Sequence, residues 1–144
     1  PMAAEAARQF AYAWIALTLA LACHVLDEAT HNFLSVYNPA VLQMRAALPW
    51  LPIPTFGFTE WIAALTLAVM ALMALSPFAF QGRRWMVAAS YPYFGFMLAN
   101  GLAHIASSVY VGEFLPGVYS SPLLLAAAVH LWFRARDSRG WSYS

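Results

Sequence analysis

The chain has 144 residues, of which 62% are hydrophobic and only 9% charged. Soluble domains carry about 25% charged residues, so a water-soluble globular protein is excluded and an all-α integral membrane protein is expected. A net charge of +1 offers no basic surface for nucleic acid, and the single cysteine, Cys23, excludes an intrachain disulfide.

In chain order, the composition divides into one domain, residues 2–144, with four spanning helices. Pro1 ahead of Met2 reads as a residue left by removal of an expression tag and is set aside. Residues 2–8 form a short polar lead. The first span is expected at about 9–36, ending before Asn38-Pro39. It is too long for the apolar region of a signal peptide and ends at no small-residue cleavage site, so it reads as retained. Residues 39–57 hold Pro39, Pro49, Pro52 and Pro54, a density that excludes a span. Ala40 to Trp50 fits a short interfacial helix. The second span is expected at about 58–75, closed by Ser76-Pro77. The third is expected at about 84–111, with Pro92 inside it. The fourth is expected at about 118–133, before an arginine-rich tail.

Orientation follows from arginine, because the chain contains no lysine. With four spans, Arg8, Arg83, Arg84, Arg134, Arg136 and Arg139 share one side, and Arg45 stands alone on the other. The positive-inside rule then puts both termini in the cytoplasm. Depth follows in turn. His24, His31, Glu60, Asn100, His104, Tyr119, Ser120 and Ser121 come from separate spans, yet all fall in the outer half of the bilayer. The inner half is apolar, which argues against a transport path.

The densest polar stretch is His24-Val25-Leu26-Asp27-Glu28-Ala29-Thr30-His31. A single aspartate at the bilayer centre costs roughly 2.5–3.5 kcal/mol on insertion scales. With His24 at 0°, helical geometry puts Glu28 near about +40°, His31 near −20° and Asp27 near −60°. The four therefore share one face, which has to meet protein or a wet cavity. Asp27, Glu28 and Glu60 have no intramembrane Arg or Lys to neutralise them. They have to bind a cation, take up protons or pair with histidine, or reach bulk water.

The spacing supports two chemistries. His24-x3-Glu28 sets two ligands one turn apart, as in helical zinc sites, and Glu28-x2-His31 is the unit of carboxylate di-iron bundles. The third span offers Asn100-x3-His104 in place of a second such unit, so a mononuclear or irregular dinuclear site fits better. The metal-binding candidates are His24, Glu28, His31 and His104, with zinc or iron as the divalent ion. The second chemistry is metal-free acid–base catalysis, as in a lipid isomerase or cyclase. Asp27, Glu28, Glu60 and Asn100 are the catalytic candidates, and Tyr93, Asn100, Ser107 and Tyr119 the substrate-binding ones. The expected partners are membrane lipid and an apolar small molecule. A lipid-binding or ion-conducting module and a purely structural polar core are the non-enzymatic alternatives. Tyr12, Trp14, Trp50, Trp61, Trp85 and Trp132 read mostly as interface anchors, Cys23 as a buried thiol, and Gly95 and Gly101 as points of close helix contact.

His24-Val25-Leu26-Asp27-Glu28 resembles the signature of the HXXEE membrane-protein family, with Asp27 in place of the first glutamate. Asn100-Gly101-Leu102-Ala103-His104 and Leu115-Pro116-Gly117-Val118-Tyr119-Ser120-Ser121-Pro122 resemble that family's later Asn/His and Pro-Gly elements. The resemblance covers most of the chain after about residue 14 and implies a membrane enzyme. More faintly, the order His-x3-Glu, then Glu, then Asn resembles the EXPERA group of sterol isomerases and sterol-binding proteins. That likeness implies isomerisation of a lipid without metal.

Overall fold

The computed structural model describes residues 4–140, with side chains as far as Ser138. Pro1 and the Arg139 side chain lie outside the described part. Six helices follow in order: α1 (Ala4–Thr30), α2 (Leu34–Ala47), α3 (Phe58–Ala74), α4 (Ser76–Phe80), α5 (Arg84–Val111) and α6 (Ser121–Gly140). No strand occurs among the described residues.

α1 has neither glycine nor proline, and its alanines and leucines favour helix. It takes in residues 4–8 of the expected polar lead, where Glu5 pairs with Arg8. Its buried residues include Phe10, Trp14, Leu17, Leu21, His24 and Glu28, at the three- and four-residue spacing of one helix face, and several others besides. α1 packs against α6, α4, α3 and α5 and is the central element. Across its apolar window 56% of the residues are buried, against 11% for Phe58–Phe80 and 22% for α5. Trp14 is therefore no interface anchor. It is 1% exposed, and its indole Nε1 donates to the Leu72 carbonyl of α3 at 2.8 Å. Trp61 is likewise buried, whereas Trp50 and Trp85 face outward. Cys23 is exposed rather than buried.

The first helix does not run to residue 36. Asn32 takes a left-handed φ of 56°, and Phe33 N donates to the Glu28 carbonyl at 2.9 Å, the bond that closes a helix C-terminus of the Schellman type. Thr30 Oγ1 and His31 Nδ1 also bond the Leu26 and Asp27 carbonyls, competing with the main chain for the last turn. The chain then restarts as α2, and Asn38-Pro39 lies inside that helix instead of ending the one before. Ser76-Pro77 likewise does not end the second apolar stretch. Pro77 stands in the first turn of α4, where a missing N–H costs no bond, and helix continues to Phe80.

α5 has the expected limits. It closes on Gly112, φ 77°, and Ser108 Oγ accepts from Leu115 N at 3.1 Å to hold the following turn. α6 starts at Ser121, after a turn through Gly117 (φ 87°), and continues past Phe133. It packs through Leu124, Ala128, Leu131 and Ala135 onto α1 and α5. Gly101 is the point of close α5–α6 approach, because a Cβ there would lie 2.9 Å from Leu125. Gly95 faces open space.

Among the described residues, three helices are long and apolar enough to cross a membrane: α1, Phe58–Phe80 and α5. α6 is not among them, since its apolar part gives way at Arg134, Arg136 and Asp137. Ring contact between Tyr12 and Phe80 puts the start of α1 beside the end of α4. Arg8, Arg83 and Arg84 thus gather at one end of the bundle, and His24, Asp27 and Glu28 of α1 and Asn100 and His104 of α5 lie toward the other. α3 and α5 both lean on α1 but make no substantial contact with each other.

Candidate metal centre

Three elements meet at the polar end. α1 brings His24, Asp27 and Glu28, α5 brings Asn100 and His104 one turn apart, and the turn before α6 brings Pro116, Gly117 and Ser120. His24, Asp27, Glu28 and His104 are all buried, at 1%, 9%, 6% and 8% exposure.

Hydrogen-bond partners fix the tautomers of both histidines. Ser120 Oγ donates its one hydrogen to Asp27 Oδ2 at 2.7 Å and therefore accepts from His24 Nδ1 at 2.8 Å. His24 Nε2 is left with its lone pair, which accepts from Asn100 Nδ2 at 2.9 Å. His104 Nδ1 donates to the Pro116 carbonyl at 2.7 Å, so its Nε2 also carries a lone pair when the ring is neutral. The two Nε2 atoms lie 3.7 Å and 3.0 Å from the same atom, Glu28 Oε1. The His24 and His104 rings sit edge to face with centroids 4.8 Å apart.

Lone pairs do not face a carboxylate oxygen across 3.0 Å unless a proton or a cation lies between them. The three atoms are all within 4.8 Å of one another and form a group that can hold a metal ion. Two ligands on a tetrahedral zinc with bonds of about 2.0–2.1 Å lie roughly 3.3 Å apart, and the two observed separations bracket that value. Ligating histidines commonly donate their other nitrogen to a carboxylate, hydroxyl or carbonyl that holds the ring in place. Asp27 does this for His24 through Ser120, and Pro116 does it for His104. The Ser120 backbone N–H also donates to Asp27 Oδ2, at 2.8 Å. Asn100 covers the His24 lone pair, so its amide has to release that nitrogen before it can ligate.

Gly117 permits this arrangement twice over. Its φ of 87° disfavours any side chain, and a Cβ there would stand 2.5 Å from Cε1 and Nδ1 of His104.

Two cavities meet at the group. One, of about 420 Å³, lies in the gap between α3 and α5, floored by α1 and reaching His24, Glu28 and Asn100. Its walls are otherwise almost wholly apolar. The other, of about 250 Å³, reaches Asn100, His104 and Ser107. Phe33, Tyr37 and Asn100 line both and divide them.

Several candidates stand elsewhere. His31, the residue before the turn at Asn32, does not join the group. Its ring is half exposed, and its Nδ1 is 2.9 Å from Asp27 Oδ1. That nitrogen points at the Asp27 carbonyl, also at 2.9 Å, so Oδ1 is buried without a directed hydrogen bond. Glu60 is exposed, and its carboxylate folds over Gly57 at the start of its own helix, where the helix dipole favours an anion. It joins neither cavity. Tyr93 lines the larger cavity and bonds Thr18 Oγ1 at 3.2 Å. Ser107 lines the smaller one. Tyr119 is 58% exposed and lies against His31 and Phe114.

Ser120, Pro116 and Phe33 complete the site; the sequence places Ser120 in the polar layer and Pro116 in the Pro-Gly element without giving either a role, and does not single out Phe33. Ser120-Ser121-Pro122 carries a helix-start signal that marks Ser120 as a turn residue, but nothing in it points to histidine. Comparison of the chain with protein-family models, with curated proteins and with solved structures gives no match.

Proposed function

We propose that the chain is a membrane enzyme in which His24, His104 and Glu28 hold a divalent metal, zinc or iron, and act on an apolar or lipid-like small molecule. One observation carries the reading: two histidines from different helices, each with its Nδ1 hydrogen already committed, turn Nε2 lone pairs on one buried carboxylate oxygen. A metal bound there would supply Lewis-acid polarisation or an activated water. The chain's own residues do the rest. Asp27, through Ser120, holds His24 in the ligating tautomer. Asn100, at the junction of the two cavities, orients a polar group of the substrate. The apolar walls keep bulk water from the reacting end. The HXXEE resemblance supports the enzymatic reading.

The second reading keeps the same residues without a metal. The 3.0 Å contact between Glu28 and His104 then holds a shared proton, and the pair works as general acid and base. Elemental analysis of protein purified without added metal separates the two. One equivalent of divalent metal per chain is expected. A metal-free protein at full occupancy of the fold would discard the first reading and leave the acid–base one.

In this proposal α6 is the fourth span, partly sheltered from lipid by α1 and α5. Both termini then lie in the cytoplasm, beside the arginine-rich end. A reporter fused after Ser144 is expected to be accessible from the cytoplasmic side only, and accessibility from outside would overturn the orientation.

A further inference from the structure

Resting on the membrane-enzyme reading, we propose that the cleft between α3 and α5 is a lateral portal for a single membrane-dissolved amphiphile. Its polar head meets Asn100 and Glu28, and its apolar body lies along Ala64, Ala68 and Leu72.

Packing comes first. Neighbouring helices in a bundle normally interlock at 8–10 Å between axes, yet α3 and α5 are joined only through α1 and α4. The space left between them is the 420 Å³ cavity. Small residues keep it open on the α3 side, where Ala64 and Ala68 stand one turn apart. Phe96 and Met97 form the α5 side. From Ala64 to Leu72 the wall is about 12 Å long at 1.5 Å per residue.

Chemistry orients the occupant. His24, Glu28 and Asn100 sit at one end of the cavity, and the α3 wall has no charged group. Asn100 Nδ2 can donate to an oxygen of the head once it releases His24. A ligand with polar groups along its length would leave them unpaired against that wall.

The route is set by what is closed. On the polar side the cavity is roofed by Phe33, Tyr37 and Phe56. Tyr37 Oη donates to the Pro54 carbonyl at 3.0 Å, while Asn38 bonds Phe56 through both its carbonyl and its N–H, at 2.9 and 3.1 Å. A roof tied at these points directs access sideways, from the bilayer. Cavities of about 300–1,000 Å³ are the range of small-molecule sites.

Trp61 lines the cavity and reports on it. With the protein in nanodiscs of unbrominated phosphatidylcholine, dibromostearic acid is expected to quench tryptophan fluorescence with a saturable component above its linear partitioning. That component should vanish in Trp61→Phe. It should require at least tenfold more probe in Ala68→Phe, and stay unchanged in Leu67→Phe, which adds bulk to the same helix on its lipid face. Should Ala68→Phe fail to fold, Ala64→Leu gives the same reading. Purely linear quenching of the wild type, or saturable quenching unaltered by the alanine substitutions, would overturn the portal. Metal content measured on the same samples keeps the two readings apart. Metal with linear quenching removes the portal alone, and saturable quenching of metal-free protein removes the metal alone.

Discussion

Glu28→Gln is expected to give a folded protein that holds no metal and whose melting temperature no longer responds to a chelator. Glutamine keeps the shape of glutamate, and its amide can donate to His104 Nε2 across the 3.0 Å that separates Glu28 from that atom. It also removes a buried ionisable group, whose desolvation costs several kcal/mol when uncompensated. The metal-free variant is therefore expected to be as stable as metal-free wild type or more so. An uncharged amide is a poor ligand, so stoichiometric metal is lost. In the wild type, free metal at a hundredfold excess over Kd stabilises the fold by about 2.7 kcal/mol. At roughly 2–4 °C per kcal/mol for a chain of this size, a chelator should lower the wild-type melting temperature by several degrees. His24→Ala and His104→Ala should also lose the metal. Glu60→Gln should keep it, because Glu60 lies over Gly57 and outside the group. Chelator-independent melting of the wild type, or full metal occupancy of Glu28→Gln, would remove Glu28 as a ligand.

The contrast between Glu28 and Glu60 marks what the sequence makes legible. His24 and Glu28 on α1, and Asn100 and His104 on α5, are each four residues apart, and helical periodicity alone puts each pair on one face. The four-span reading expects both pairs at one depth, and the structure brings members of both together around Glu28 and His24. Depth does not fix the direction around a helix axis. Glu60 is in the right layer, but as a first-turn carboxylate it serves its own helix terminus. His31 was lost for another reason. Its main-chain N–H still bonds the Asp27 carbonyl, so it keeps its place on the helix, but its ring bends back to that carbonyl and beside the Asp27 carboxylate and does not join the group. Side-chain bonds of this kind to the carbonyls of a helix's last turn are not recorded by periodicity. Trp14 misleads because the aromatic-belt rule presumes a lipid-facing helix, and only the assembled bundle makes α1 its centre. Ser120 and the Pro116 carbonyl come from a turn, where no repeat says which way an atom points.

That turn carries the strictest constraint on the site, and Gly117→Ala tests it. Alanine in the left-handed region costs about 1–2 kcal/mol, and a Cβ 2.5 Å from the imidazole cannot be accommodated unless His104 moves. Moving His104 breaks its bond to Pro116 and draws Nε2 off Glu28, so the substitution is expected to destabilise the fold and also to abolish stoichiometric metal. Gly112→Ala separates these two effects. Gly112 has a similar φ of 77°, but a Cβ there meets nothing within 4 Å. It should pay the same backbone strain, a drop of a few degrees in melting temperature, and keep its metal. Melting curves and metal content of the two variants, measured side by side, are the check. Equal metal retention in both would mean that the His104 ring has room to shift without losing its place among the ligands, and the tight packing of Gly117 against it would then be no part of how the site is held.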